Sequence, residues 1–113
     1  MNDKELLELA AKAAGIECEW SNDDDDGMWL MGERSPDNSR YWNPLTDDGD
    51  ALRLAVKLEL NVCYDGLDAI NSGGCGVVTK DERKFFEPTN GDPYAATRRA
   101  IVRAAASIGK DAP

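Results

Sequence analysis

Residues 45–65 read L-T-D-D-G-D-A-L-R-L-A-V-K-L-E-L-N-V-C-Y-D, and two hydrophobic periods meet inside them. Ala51, Leu52, Ala55, Val56 and Leu58 recur at helical spacing. From Leu60 the pattern alternates instead, with Leu60, Val62 and Tyr64 opposite Asn61, Cys63 and Asp65. A stripe at the helical period and an alternating strand each have one apolar side to bury. The stretch therefore predicts a helix running into a strand, the unit of a layered α+β domain. Thr46 or Asp47 can cap the helix, Asp48 and Asp50 lie near the positive end of its dipole, and Leu45 can staple onto the first turn.

Working outward, the same signals recur. Asn2 or Asp3 caps a first helix whose apolar residues are Leu6, Leu7, Leu9, Ala10, Ala13 and Ala14, and Gly15 closes it. I-E-C-E-W at 16–20 alternates as a strand, and M-W-L-M at 28–31 reads as its hairpin partner. Residues 33–45 mix Pro, Asn and Ser and predict a long loop. Further strands are expected around 69–71, 76–79 and 83–86. A last helix starts at the Asp92 cap with Pro93 and stops at Gly109. Tyr94, Ala100, Ile101, Ala104, Ala105 and Ile108 form its predicted buried face, and Arg98, Arg99 and Arg103 its outer face. The expected order is α-β-β-α-β-β-β-α: one layered α/β sandwich of 113 residues, its mainly antiparallel sheet packed by three helices, with no internal repeat.

Composition narrows the chemistry. The chain has no histidine, which removes Ser-His-Asp and Cys-His nucleophiles and histidine metal sites. Its three cysteines, Cys18, Cys63 and Cys75, show no C-x-x-C spacing, which fits a reducing cytoplasm better than a disulfide framework. Acidic residues threaded through the N-terminal leucines predict neither a signal peptide nor a membrane span. Net charge is −9, and it is lopsided: residues 1–50 hold 14 Asp and Glu against 4 Lys and Arg, giving −10, and the remainder hold 8 against 9, giving +1. Such a field repels nucleic-acid backbones and attracts a basic protein surface or a cation.

The acidity peaks in N-D-D-D-D-G-M-W-L-M-G-E at 22–33, where Asn22, Asp24, Asp26, Gly27 and Glu33 stand at positions 1, 3, 5, 6 and 12 of a calcium loop. An EF-hand needs helices on both sides, and here the flanks read as strand and loop. The simpler reading is a solvated hairpin turn, since Asp and Gly are favoured turn residues. Asp23, Asp24, Asp25 and Asp26 then become candidates for protein contact, with cation binding through Asn22, Asp24, Asp26 and Glu33 as the alternative. Tyr41, Trp42, Asp47 and Asp48 complete the protein-contact set, although Trp42 is better placed to seal the second helix against the sheet. Arg98, Arg99 and Arg103 are candidate anion contacts, against the simpler reading of a solvated helix face. S-G-G-C-G at 72–76 reads as a flexible turn; it matches no dinucleotide or phosphate loop, and nothing beside Cys75 would activate its thiol.

Residues 41–58, Y-W-N-P-L-T-D-D-G-D-A-L-R-L-A-V-K-L, together with 92–110, D-P-Y-A-A-T-R-R-A-I-V-R-A-A-A-S-I-G-K, resemble the phage ABA sandwich domain family of small phage and prophage proteins. The opening helix adds to the likeness, while residues 20–40 and 65–90 show none. The resemblance implies a single layered α/β/α domain acting in the cytoplasm of a bacterial host, and it brings no catalytic residue, cofactor or established activity. The expectation is a non-enzymatic accessory protein, a monomer or small homo-oligomer, that binds a host or phage protein with a basic surface. Inhibition of a host defence enzyme by DNA-like charge falls within that expectation. The alternative is a small cation- or ligand-binding module built on residues 22–33.

Overall fold

The computed structural model describes residues 2–20, 28–30, 41–65, 73–89 and 91–112. It shows the expected α+β class. The elements run α1 (Asp3–Ala14), β1 (Cys18–Trp20), β2 (Met28–Leu30), β3 (Tyr41–Trp42), α2 (Asp48–Lys57), β4 (Asn61–Asp65), β5 (Gly74–Val78), β6 (Lys84–Pro88) and α3 (Pro93–Asp111). The strand expected around 69–71 lies outside the described residues. Tyr41–Trp42, expected in a loop, is instead a short strand paired with β2, because M-W-L-M carries a second ladder edge beyond its hairpin with β1.

Helix starts follow the capping chemistry of the sequence. The Asn2 side chain accepts from the Glu5 N–H at 2.8 Å while Glu5 accepts from the Asn2 N–H at 3.1 Å, a reciprocal capping box. Asp47 accepts from the Asp50 N–H at 2.8 Å, and Asp92 from the Ala95 N–H at 3.0 Å. The ends of α1 and α2 share one motif. Gly15 and Ile16 donate to Lys12 and Ala11 carbonyls, and Glu59 and Leu60 donate to Val56 and Ala55 carbonyls. Each is a Schellman turn through a left-handed residue, Gly15 at φ 71° and Glu59 at φ 57°.

Two apolar stripes differ from expectation. In α2 the buried residues are Ala51, Leu54 and Ala55, whereas Leu52 and Val56 are 64% and 68% exposed. The inward stripe is Ala51, Leu54, Ala55 and Leu58, at i, i+3, i+4 and i+7, and the Asn43 N–H donates at 2.9 Å to Asp50 Oδ2 one turn before Leu54. In α3, Tyr94 is 69% exposed, and Gly109 does not end the helix, which continues to Asp111.

The strands form two three-stranded antiparallel sheets, β1-β2-β3 and β4-β5-β6. In the second, Val62 pairs with Val77 and Tyr64 with Cys75, so the apolar set from Leu60 onward shares a face with the buried centre of β5, but β4 is an edge strand and both Val62 and Tyr64 are exposed. S-G-G-C-G is therefore no turn over its last three residues: Gly74, Cys75 and Gly76 lie in the central strand, and Cys75 is wholly buried. Gly74 is required there, since a β-carbon would meet the Phe86 ring and the Glu87 carbonyl at 2.5 Å.

α3 is the hub, packing against α1, α2 and all three strands of the second sheet. Contacts along it show that the three helices run parallel. Asp3 pairs with Arg99 near the start, and Lys12 donates to the Ala112 carbonyl at the end. Asp48 pairs with Arg98, and Leu58 shares a hollow with Ile108. A chain leaving the end of one helix for the start of a parallel neighbour must cross the molecule an odd number of times. Three antiparallel strands supply that return twice, once between α1 and α2 and once between α2 and α3.

Candidate interaction surface and a hollow at the helix ends

The start of α2 is built from N-P-L-T-D-D-G-D. Asn43 is buried; its side chain accepts from the Leu45 N–H at 3.0 Å and its carbonyl accepts from the Thr46 and Asp47 N–H groups. Arg98 reaches across from α3, donating to the Leu45 carbonyl at 2.8 Å and to Asp48 at 2.6 Å. Of the protein-contact candidates, then, Asp47 is a helix cap and Asp48 an ion-pair partner, both still exposed to solvent. Trp42 is 5% exposed and belongs to the core, the sealing role. Tyr41 stands in β3, paired with Trp29. Asp23, Asp24, Asp25 and Asp26, and the cation alternative of Asn22, Asp24, Asp26 and Glu33, lie outside the described residues.

The three arginines expected on an outer face each tie α3 to a different element. Arg98 holds α2, Arg99 lies 2.8 Å from Asp3 of α1, and Arg103 lies 2.5 Å from Glu87 while its guanidinium stands 5.6 Å from the Phe85 ring centre. A fourth tether comes from the β5–β6 turn, where Arg83 donates to the Ser107 carbonyl at 3.0 Å and pairs with Asp111 at 2.8 Å, complementing the negative end of α3. Sequence reading counted the positive charges but had no signal for which carboxylate each would meet.

At the C-terminal ends of α2 and α3 lies a hollow of about 320 Å³, lined by Lys57, Leu58, Glu59, Lys80, Asp81, Arg83 and Ile108. The Asp81 carboxyl is held below its usual range by the Thr79 hydroxyl that donates to it and by the adjacent Arg83. Glu59 lies 3.1 Å from Lys80. These residues come from two turns and from helix α3, so no linear motif could have announced them.

Cys75 lies in the central strand of the second sheet, and burial pushes its thiol above the ordinary 9.0. Its partner strand carries Cys63, which is exposed. Among the described residues no group of His, Cys, Asp or Glu is placed to hold a metal ion, and no helix is long and apolar enough to cross a membrane. Comparison with protein families, with characterised proteins and with solved structures finds no match for this chain.

Proposed function

We propose that this chain is a small phage or prophage accessory protein that works by binding, its acidic first half meeting a basic surface on a host or phage protein. The observation that carries this reading is the charge asymmetry, −10 in residues 1–50 against +1 in the rest. The described acids of that half are partly committed to the fold: Asp47 to a cap, and Asp3, Asp48 and Asp50 to arginines. The run Asp23 to Asp26 is the densest acidity in the sequence, and a basic partner is the chemistry it suits. DNA-like presentation of that charge to a nucleic-acid enzyme is one form such binding takes. Absence of histidine, and the resemblance of residues 41–58 and 92–110 to phage ABA sandwich proteins, support a binding role in a bacterial cytoplasm.

The test is affinity capture from bacterial lysate by the intact chain and by a variant with Asp23, Asp24, Asp25 and Asp26 all changed to Asn. A specific polypeptide retained by the first and lost by the second supports the reading; equal capture contradicts it. Calorimetry with calcium separates the cation alternative, which requires saturable heat that the same variant abolishes.

A further inference from the structure

The second sheet has two edges, and only one carries the features that keep a strand from pairing with another chain. β6 holds Lys84 and Pro88 at its two ends, and its Phe86 carbonyl accepts from Arg103 at 3.2 Å. A lysine, a proline and a covered carbonyl each blunt an edge. β4 reads N-V-C-Y-D, without lysine or proline, in an unbroken register with β5. Among the described residues no strand lies on its other side, and Asn61, Val62, Cys63 and Tyr64 are all exposed.

The ladder shows which backbone groups of β4 are free. The Cys63 carbonyl oxygen lies 3.9 Å from where a β-carbon on Gly76, its ladder partner, would stand, so Cys63 turns its backbone groups toward β5. Alternation then turns the N–H and C=O groups of Val62 and Tyr64 outward, away from β5. Free donors and acceptors thus stand along one open edge, at the same two residues whose apolar side chains the fold leaves exposed.

We propose that β4 pairs with β4 of a second copy of this chain, antiparallel about a two-fold axis at Cys63, joining two three-stranded sheets into one. In that register all five residues of β4 are matched. Val62 meets Tyr64 of the other copy on both sides of the axis, in pairs that exchange the free N–H and C=O groups of each edge. Each such pair sets a β-branched residue against an aromatic one. Asn61 falls opposite Asp65, so no like charges meet. Cys63 meets Cys63 in a pair without hydrogen bonds, its Cα atoms about 4.5 Å apart. Complementarity of a strand with its own reverse is what a two-fold interface requires, and it selects a second copy over an unrelated strand. A ladder this short is a small interface, so the pairing is weak, with a dissociation constant on the order of 100 µM. It involves none of Asp23 to Asp26 and does not rest on the protein-partner reading.

The experiment is sedimentation equilibrium of the full chain under reducing conditions, from about 5 µM to about 1 mM. A monomer–dimer equilibrium is expected, and Cys63→Ser is expected to share it. Cys63→Lys sets two lysines opposite each other and is expected to stay monomeric throughout. The position is exposed, and an unchanged circular dichroism spectrum checks that this variant keeps its fold. The register has its own readout, in a Cys18→Ser background where Cys75 is buried. Diamide, which takes up the electrons and protons of a thiol pair, is expected to link most chains at about 1 mM as Cys63–Cys63 dimers, because the Cα separation falls within disulfide range. Monomer at every concentration, a Cys63→Lys dimer as strong as the parent's, or Cys63 left mostly unlinked by diamide overturns the proposal.

Discussion

A β-carbon on Gly109 of α3 would collide with the Leu9 carbonyl oxygen of α1, so the two helices touch backbone to backbone at that point. The neighbouring positions, Ala10, Ala14, Ala105 and Ala106, are small and buried, which lets this approach extend along the pair. Gly109→Ala improves helix propensity by about 1 kcal/mol but forces α1 away from α3. The net loss is expected to reach at least about 2 kcal/mol, read as a fall in the chemical-denaturation midpoint with a cooperative transition retained. A stabilised Gly109→Ala would mean that α1 does not pack here.

The two Schellman turns give a matched pair of opposite effects. Gly15 occupies the left-handed position without strain, so Gly15→Ala is expected to cost about 1 kcal/mol. Glu59 occupies the equivalent position with a side chain, so Glu59→Gly is expected to stabilise by roughly 0.5 kcal/mol after the greater freedom of glycine in the unfolded chain is subtracted. Its pair with Lys80 is too exposed to reverse that sign. Thermal melts of both variants, side by side, check the two signs at once.

Much of this fold was legible because its local chemistry is explicit. Asn2, Asp47, Asp92 and Gly15 fixed the helix limits, and the alternation from Leu60 identified which face of β4 is apolar. The failures have a common origin in tertiary contacts. Two apolar stripes compete on α2, one through Leu52 and Val56 and one through Leu54 and Leu58, and packing against the core selects the second. Gly109 looked like a helix terminator because glycine serves both as a cap and as a point of close approach, and the sequence does not show Leu9 opposite it. Gly74 and Gly76 looked like a turn for the same reason, since the Phe86 ring that lies over Gly74 comes from the next strand. For the candidate sites, the sequence showed how much charge there is; the tethers of Arg98, Arg99 and Arg103 required the fold.

Arg98 joins α3 to the start of α2 through a backbone carbonyl as well as a carboxylate. Arg98→Met is expected to destabilise by about 1 to 2 kcal/mol, because the Leu45 carbonyl loses its charged donor. Asp48→Asn, whose side chain is 70% exposed, is expected to change stability by less than about 0.5 kcal/mol. Equal effects of the two substitutions in urea titrations would assign the tether to the ion pair alone.

The cysteines should separate by reactivity. In a Cys18→Ser background, Cys63 is expected to react with a thiol reagent at the rate of a free thiol, and Cys75 only as fast as the protein opens. Because burial raises the Cys75 thiol above the unfolded 9.0, its contribution to stability is complete below about pH 9 and is lost as pH rises through the folded value. Cys75→Ala, although it opens a small cavity, should therefore show a shallower alkaline decline in melting temperature than the parent chain.

The central claim, that the acidic half binds a basic protein surface, is tested most directly by the salt dependence of lysate capture. Retention should fall steeply between about 50 mM and 500 mM salt, as screening shortens the reach of exposed charges from over 10 Å to a few Å. It should be absent at both salt concentrations when Asp23, Asp24, Asp25 and Asp26 are Asn. A partner retained equally at both concentrations, or retained by the neutralised variant, would contradict the account.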